Sequence, residues 1–438
     1  MSNKTQEAIY NAKELGAGKV TILGLQHMFA MFGATVLVPI LTGLNVSTTL
    51  FFAGVGTLLF HLLTKRKVPA FLGSSFAFLG GYFAIAPILE DGSSNVEMIP
   101  YACFGVACAG LIYLIMALLI KLFSASKIMK FFPPIVTGPI IIAIGLTLSQ
   151  SAIDNCSTNW LVALAAIVVV VVCNIYGKGM IKIIPILIGV VVSYIVGACM
   201  GKVDFTAVKE ASWVGFPIVK EMTVLGMFGD DFDVSKLLTA VVTIMPIALA
   251  TIVEHIGDIS AISSTTGRNY IKDPGLHRTL LGDGLATMVA ALFGAPANTT
   301  YGENTGVLNL SKVYDPFVVR LAAGFAIFFS FCPKFAAVIQ TMPTATVGGI
   351  SLILYGMISA VGVRNIVENK VDFTASRNVI IAALILVLAI GINYSAAGAI
   401  AFSIGSVTIS LSGLATGALV GIIMNAILPG KDYKFEEE

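Results

Sequence analysis

Pro69-Ala70-Phe71-Leu72-Gly73-Ser74-Ser75-Phe76-Ala77-Phe78 and Pro296-Ala297-Asn298-Thr299-Thr300-Tyr301-Gly302-Glu303-Asn304 are two versions of one segment. Each opens on Pro-Ala and carries two adjacent hydroxyls and an aromatic, at an offset of 227 residues. Gln26-His27 and Glu254-His255, each inside a long apolar run, repeat at an offset of 228. Two independent landmarks at nearly one offset divide the chain into two related halves. Interrupted hydrophobic segments at corresponding positions of two halves are the sequence signature of a secondary transporter's binding site.

The rest of the composition agrees with a membrane solution. Hydrophobic residues make up 57% of the 438 residues and charged residues only 11%, which excludes an ordinary soluble domain. Unbroken apolar runs such as Ala165 to Val172 lack the alternation of an outer-membrane barrel. A helix needs about 20 apolar residues to cross a bilayer core, and the sequence supplies fourteen such intervals: 20–41, 45–64, 68–89, 100–121, 131–150, 159–177, 180–200, 236–258, 276–293, 295–312, 316–333, 340–361, 376–393 and 398–428. The last is long for one crossing and has room for an interfacial turn. Met1 to Lys19 is polar, and no cleavable signal peptide is evident.

Lys and Arg set the orientation. With the N-terminus in the cytoplasm, all but five of the 26 basic residues fall inside; the exceptions are Lys202, Lys209, Lys220, Lys236 and Lys334. This is a positive-inside pattern, and it offers no basic patch for nucleic acid. It also requires 295–312 to cross despite Asn298, Thr299, Thr300, Glu303 and Asn304, because otherwise Lys312/Arg320 and Arg364/Lys370/Arg377 would move outside together. Irregular polar backbone survives at membrane depth only where protein or a water-filled cavity satisfies it. The expected fold is therefore an all-α polytopic membrane protein of fourteen segments, a 7+7 inverted repeat in which segments 3 and 10 are broken by short extended strands. Pro133-Pro134-Ile135-Val136-Thr137-Gly138 and Pro343-Thr344-Ala345-Thr346-Val347-Gly348 give a third correspondence.

Several smaller features complete the reading. The six cysteines show no metal-type spacing and read as small packing residues, with Cys156 in a short external loop after segment 5. His61 and His277 fall at segment ends and read as interfacial, while His27 and His255 read as structural or supporting groups. Gly413, Gly417 and Gly421, at every fourth position, suit close helix packing. The acidic 201–236 loop, with Glu210, Glu221, Asp230, Asp231 and Asp233, carries no assignment.

Ionisable groups inside the apolar segments are few: Glu254, His255 and Asp258 in segment 8, Asp283 in segment 9 and Glu303 in segment 10. Each costs about 2.5 kcal/mol or more at the bilayer centre. Glu254 and Asp258 share one helix face, and His255 points about 100° away. Asp283, between Gly282 and Gly284, is placed to bond amides of the facing broken segment. Carboxylates accept hydrogen bonds from N–H groups, while the amides of Ser75-Phe76-Ala77 and Gly302-Glu303 can donate to carbonyl oxygens. Phe76 and Tyr301 offer flat apolar faces, and Gly302 permits close backbone approach. The complementary ligand is planar and neutral with alternating N–H and C=O groups, a pyrimidinedione or an oxopurine. The same carboxylates and hydroxyls also suit Na⁺. No GxSxG elbow or Walker loop is present, and Glu254-His255-Ile256-Gly257-Asp258 lacks the second histidine of a zinc protease, so neither enzyme chemistry nor a protein-held metal is expected.

Taken together, Gln26-His27-Met28-Phe29-Ala30-Met31-Phe32-Gly33-Ala34-Thr35, Gly73-Ser74-Ser75-Phe76-Ala77-Phe78, Glu254-His255-Ile256-Gly257, Tyr301-Gly302-Glu303-Asn304-Thr305-Gly306 and Leu354-Tyr355-Gly356 resemble the nucleobase/ascorbate transporter family. The resemblance runs from segment 1 to segment 14. It implies a core domain of segments 1–4 and 8–11 (20–121 and 236–333) and a gate domain of segments 5–7 and 12–14 (131–200 and 340–428). It also implies an elevator-like symport cycle in the cytoplasmic membrane, both termini inside, with a proton as coupling ion and no other cofactor, commonly in a homodimer through gate domains embedded in lipid. Glu254 and Glu303 would hold the base, with Ser75, Phe76, Tyr301 and Gly302 completing the site and Tyr355 facing it from the gate. Oxopurine members tend to carry Gln at the position of Glu303, which tilts the expected substrate to uracil over xanthine or uric acid. An anion exchanger of the same architecture would want a positive site. Some members carry a histidine tied to proton coupling where Asp258 stands; here Asp258, with Glu254, His255 and Asp283, is the candidate for that work.

Overall fold

The computed structural model describes residues 8–229, 232–404 and 407–430. Lys4, Asp230, Asp231, Lys431 and Lys434, and the side chains of Glu303, Asn304, Leu310, Ile404, Val407 and Thr408, lie outside the described residues. Helices dominate. Among the described residues seven are long and apolar enough to cross a membrane: Ala17–Thr42, Val46–Leu63, Ile99–Phe123, Pro134–Ser157, Val234–Thr266, Thr344–Glu368 and Ser376–Asn393. Pro316–Ser330 and Pro333–Gln340, bent by 89° at their junction, make an eighth if counted as one span. Trp160–Tyr176, Pro185–Cys199 and Gly413–Ile427 are shorter apolar helices. Local sequence explains their starts. Side-chain oxygens of Asn45, Asn159, Asp233, Asp315 and Ser412 cap helix N-termini, and Pro134, Pro185 and Pro316 occupy first-turn positions where no N–H is needed.

Two broken stretches meet at the centre. Strand β1 (Leu72–Ser74) pairs antiparallel with β2 (Asn298–Thr300), with Leu72 opposite Thr300, Gly73 opposite Thr299 and Ser74 opposite Asn298. The Ser75 N–H extends the ladder to the Ala297 carbonyl at 2.9 Å. A short helix leaves each strand, Phe76–Phe78 continuing into Leu79–Ile85 after β1, and Glu303–Ser311 after β2. Around this ribbon Ala17–Thr42, Val46–Leu63, Ile99–Phe123, Leu276–Leu292 and Pro316–Ser330 pack on one another, while Pro134–Thr147, Trp160–Tyr176, Pro185–Cys199, Thr344–Glu368 and Ser376–Asn393 form a second packed group. Ala248–Thr266 touches both, contacting Ile99–Phe123 on one side and Pro134–Thr147 and Gly413–Ile427 on the other.

Several expectations are corrected. The chain is not purely helical. The interval 398–428 is not one long crossing but a β-hairpin, β3 (Ala399–Ile404) with β4 (Val407–Ser412), followed by Gly413–Ile427. Its residues alternate with a period of two, a signal that window-averaged hydropathy conceals. The interval 236–258 extends to Thr266, because Ser260, Ser263 and Thr266 return their hydroxyls to carbonyls one turn back and so need no water. Cys156 is not in a loop: it lies in helix Ser149–Ser157 and is fully buried, its backbone fitting against Gly348, where a Cβ would stand 2.5 Å from the Cys156 nitrogen. His61 lies at a segment end as expected, in the last turn of Val46–Leu63, but is fully buried in protein, with Nε2 2.9 Å from the Ala70 carbonyl. Gly413, Gly417 and Gly421 do mark a close contact, each lying against Ile385 or Ala389.

Gly73 occupies the tightest point of the ribbon. A Cβ there would stand 2.5 Å and 2.7 Å from ring atoms of Tyr301 and 2.8 Å from Thr35 Oγ1. Overpacking of this kind costs about 1–3 kcal/mol. Gly73→Ala is expected to lower the apparent Tm of the detergent-purified protein, whereas Gly80→Ala, with nothing within 4 Å of its added methyl, should not; equal Tm values for the two variants would refute this account of the ribbon.

Candidate functional site

Because β1 and β2 have only each other as sheet neighbours, their outer polar groups are satisfied by side chains. Thr57 accepts from the Leu72 N–H at 2.9 Å, and Thr287 donates to the Asn298 carbonyl at 3.0 Å. Asn298 Nδ2 donates to the Phe52 carbonyl at 2.7 Å and Ser74 Oγ to the Thr35 carbonyl at 2.9 Å. Asp283, fully buried, accepts from the Thr300 N–H at 2.9 Å, as its place opposite the broken segment predicts. The Tyr301 hydroxyl crosses the ribbon and donates to the Ser74 carbonyl at 2.9 Å, so its ring lies over Gly73. Thr57, Thr287 and Thr35 were not singled out in the sequence. Isolated threonines in otherwise apolar segments were the available signal.

The helix Ala248–Thr266 brings its polar residues to the exit of β2. Asp258 is buried, and its Oδ2 accepts from Thr300 Oγ1 at 3.2 Å. A Cβ on Gly302 would stand 2.9 Å from Asp258 Oδ1, so the absence of a side chain there is what lets the head of helix Glu303–Ser311 approach this carboxylate. His255, three residues before Asp258 and so on a neighbouring part of the helix surface, reaches the same Thr300 hydroxyl. Its Nδ1 lies 3.1 Å from Thr300 Oγ1 and 3.1 Å from Asp283 Oδ2, and its Nε2 lies 3.0 Å from Thr279 Oγ1. Asp258, Thr300, His255 and Asp283 thus form one continuous buried polar chain. Glu254, one turn before Asp258, is only partly buried, and Gly257 between them faces Ile141 of the other packed group.

On the β1 side, Phe76 and Tyr355 meet edge-to-face at 5.6 Å between ring centroids. Both are buried, and they come from different packed groups. The Ser75 hydroxyl is buried without a hydrogen-bond partner among the described residues, and the Tyr355 hydroxyl, also buried, has Ser351 beside it. An unpaired buried polar group is costly, at about 1–3 kcal/mol each. First-turn amides of a helix have no intrahelical partner, and here two helices, starting at Phe76 and Glu303, begin at the same ribbon. The backbone of Glu303 opens the second of them; its side chain lies outside the described residues. A hollow of about 330 Å³, bounded by Ser260, Ser263, Gly267, Arg268, Asn269 and Ile271, lies further along the helix that carries Asp258. No group of three or more His, Cys, Asp or Glu side chains among the described residues is arranged to hold a metal ion.

Comparison with known proteins gives this geometry its setting. A model described as "Permease family" matches residues 18–398. The chain is 41% identical over 431 residues to the uracil permease of Bacillus caldolyticus, covering 96% of this chain and 94% of that one. It is 38% identical to the uracil permease of Bacillus subtilis strain 168, covering 92% and 91% of the two chains. With the uracil permease of Escherichia coli K12 it shares 36% identity, covering 92% and 90%. Among solved structures, the transmembrane domain of the cyanobacterial bicarbonate transporter BicA superposes with a TM-score of 0.61 at 15% identity over 96% of this chain and 99% of that one. SLC26A9 superposes with a TM-score of 0.67 at 13% identity, covering 95% of this chain and 66% of that one. These two likenesses speak for the fold alone. The chain therefore belongs to this permease family, that of the nucleobase/ascorbate transporters, and is a multi-pass membrane transporter, not an enzyme.

Proposed function

We propose that this protein imports uracil across the cytoplasmic membrane by proton symport, with no other cofactor. The observation that carries the reading is the meeting of two helix starts at the β1–β2 ribbon, with the Asp258 carboxylate against Gly302 on one side and the Phe76–Tyr355 contact on the other. Uracil is planar and presents N–H and C=O groups in alternation. Its carbonyls would take the amides at Phe76 and Gly302, and its N–H groups the carboxylates of Glu254 and Glu303. The Ser75 hydroxyl, otherwise unpaired, and Tyr355 lie beside Phe76, whose ring offers an apolar face. The names of three relatives at 36–41% identity point the same way.

The wider arrangement follows from the same reading. Fourteen segments form two inverted sevenfold halves, in which Thr57 serves β1 as Thr287, 230 residues later, serves β2. Residues 20–121 and 236–333 make the core, 131–200 and 340–428 the gate, and the core carries the ribbon past the gate in an elevator-like motion. Both termini are cytoplasmic, and gate domains pair in a homodimer. The coupling proton resides on the buried chain that begins at Asp258 and continues through Thr300 and His255 to Asp283. Neutralising one of its carboxylates lowers the charge that crosses with the moving core.

Three outcomes test this. Glu254→Gln and Glu303→Gln each replace a charge-assisted bond, worth about 1.5–3 kcal/mol, so uracil affinity by calorimetry should fall about ten- to a hundredfold; near-wild-type binding in either variant would remove that residue from the site. Asp258→Asn keeps an acceptor for the Thr300 hydroxyl. It should retain uracil binding and exchange in proteoliposomes while losing accumulation driven by an imposed pH gradient, and accumulation at the wild-type rate with unchanged pH dependence would move the proton elsewhere. For topology, Ser157 is exposed where Cys156 is not. In a background without other cysteines, Ser157→Cys should react with an impermeant maleimide on intact cells, and labelling only after lysis would overturn the segment count.

A further inference from the structure

The 201–236 loop, to which the transport reading assigns no role, is fastened to the helices around the ribbon at many points. Thr48, in the first turn of Val46–Leu63, donates to the Pro217 carbonyl at 2.5 Å. The Gly215 N–H donates to the Phe331 carbonyl and the Lys334 N–H to the Ser212 carbonyl, both at 3.0 Å. Val224 and Met227 are buried against Ile99–Phe123, and the Met222 carbonyl comes within 2.6 Å of where a Gly294 Cβ would stand. The loop is therefore a fixed collar over one end of this group of helices.

Its outward face carries large apolar side chains alongside the exposed Lys220 and Glu221. Trp213, Val214 and Phe216 are 73%, 80% and 74% exposed, and Leu225 and Phe228 are also exposed. In water such a cluster would be an uncompensated hydrophobic patch. Its level in the molecule shows what covers it. Pro316–Ser330 is an apolar helix, and its Phe328 is 72% exposed, as a side chain facing lipid would be when this helix spans. At Phe331 to Pro333 the chain turns by 89°, so Pro333–Gln340 runs along the membrane plane when Pro316–Ser330 spans it. Residues 212–215 are bonded to that bend, which places Trp213 and Phe216 at the boundary of acyl chains and headgroups. The chemistry fits this depth. Lys334 Nζ lies 5.2 Å from the Trp213 ring centroid, and a tryptophan beside a lysine is the usual pairing at a membrane interface, the ring among the upper acyl chains and the ammonium among phosphates.

We infer that residues 212–228 form an interfacial anchor that seats this end of the core in the lipid headgroup layer. The chain has two tryptophans, Trp160 and Trp213, so Trp160→Phe leaves Trp213 as the single reporter. In proteoliposomes, phosphatidylcholine brominated near the headgroup end of its acyl chains should remove most of the Trp213 emission, and iodide present on both sides should remove little. Strong iodide quenching with no effect of brominated lipid would put the loop in water and overturn the anchor. Insensitivity to both quenchers would mean that protein, such as a second copy of this chain, covers the face, and would overturn it equally.

Discussion

Backbone amides and carbonyls that leave a helix at membrane depth must find partners inside the protein, because lipid supplies none. Most of what is specific in this structure answers that requirement at residues 69–76 and 296–303. The two breaks satisfy each other through the β1–β2 ladder, and Thr57, Thr287, Asp283, Ser74 and Tyr301 close the remaining gaps. Few of these bonds are local in sequence: Tyr301 reaches Ser74 across 227 residues. Stability and the geometry of the candidate site are therefore one problem here, since any shift of the ribbon moves both helix starts that leave it.

The same requirement explains why buried charge is tolerated. Asp283 is fully enclosed, yet one of its oxygens takes the Thr300 amide and the other stands 3.1 Å from His255. An isolated carboxylate there would cost several kcal/mol; tied to the ribbon, it orients β2 and links it to the helix carrying Asp258. That helix lies between the two packed groups. Phe76 and Tyr355 meet across the same boundary. Their edge-to-face contact joins the two groups by aromatic packing, while the ladder hydrogen bonds lie inside one of them.

Much of this was legible in the chain. Pro69-Ala70 and Pro296-Ala297 announced the breaks, and the rarity of Glu254, Asp258 and Asp283 among apolar residues marked them as site or support. Asn45, Asn159 and Asp315 announced helix starts through local capping chemistry. Other features were hidden for definable reasons. Hydropathy averaged over a window merged the β3–β4 hairpin with the helix after it. Burial of Cys156 and His61 depends on Gly348 and Ala70, far away or around a turn, and a position at the end of an apolar run says nothing about what covers it.

The sequence by itself determined that the chain crosses a membrane many times, that two like segments recur 227 residues apart, and which few polar residues sit inside apolar runs, because hydrophobic length, local capping and the cost of buried charge act residue by residue. Only the tertiary structure decided that β1 pairs with β2, that His255 joins Asp283 to Thr300, and that Trp213 is fixed to the bend at Phe331. Those contacts join residues from 28 to more than 220 positions apart, and their geometry is set by how helices pack, which no local pattern of residues encodes.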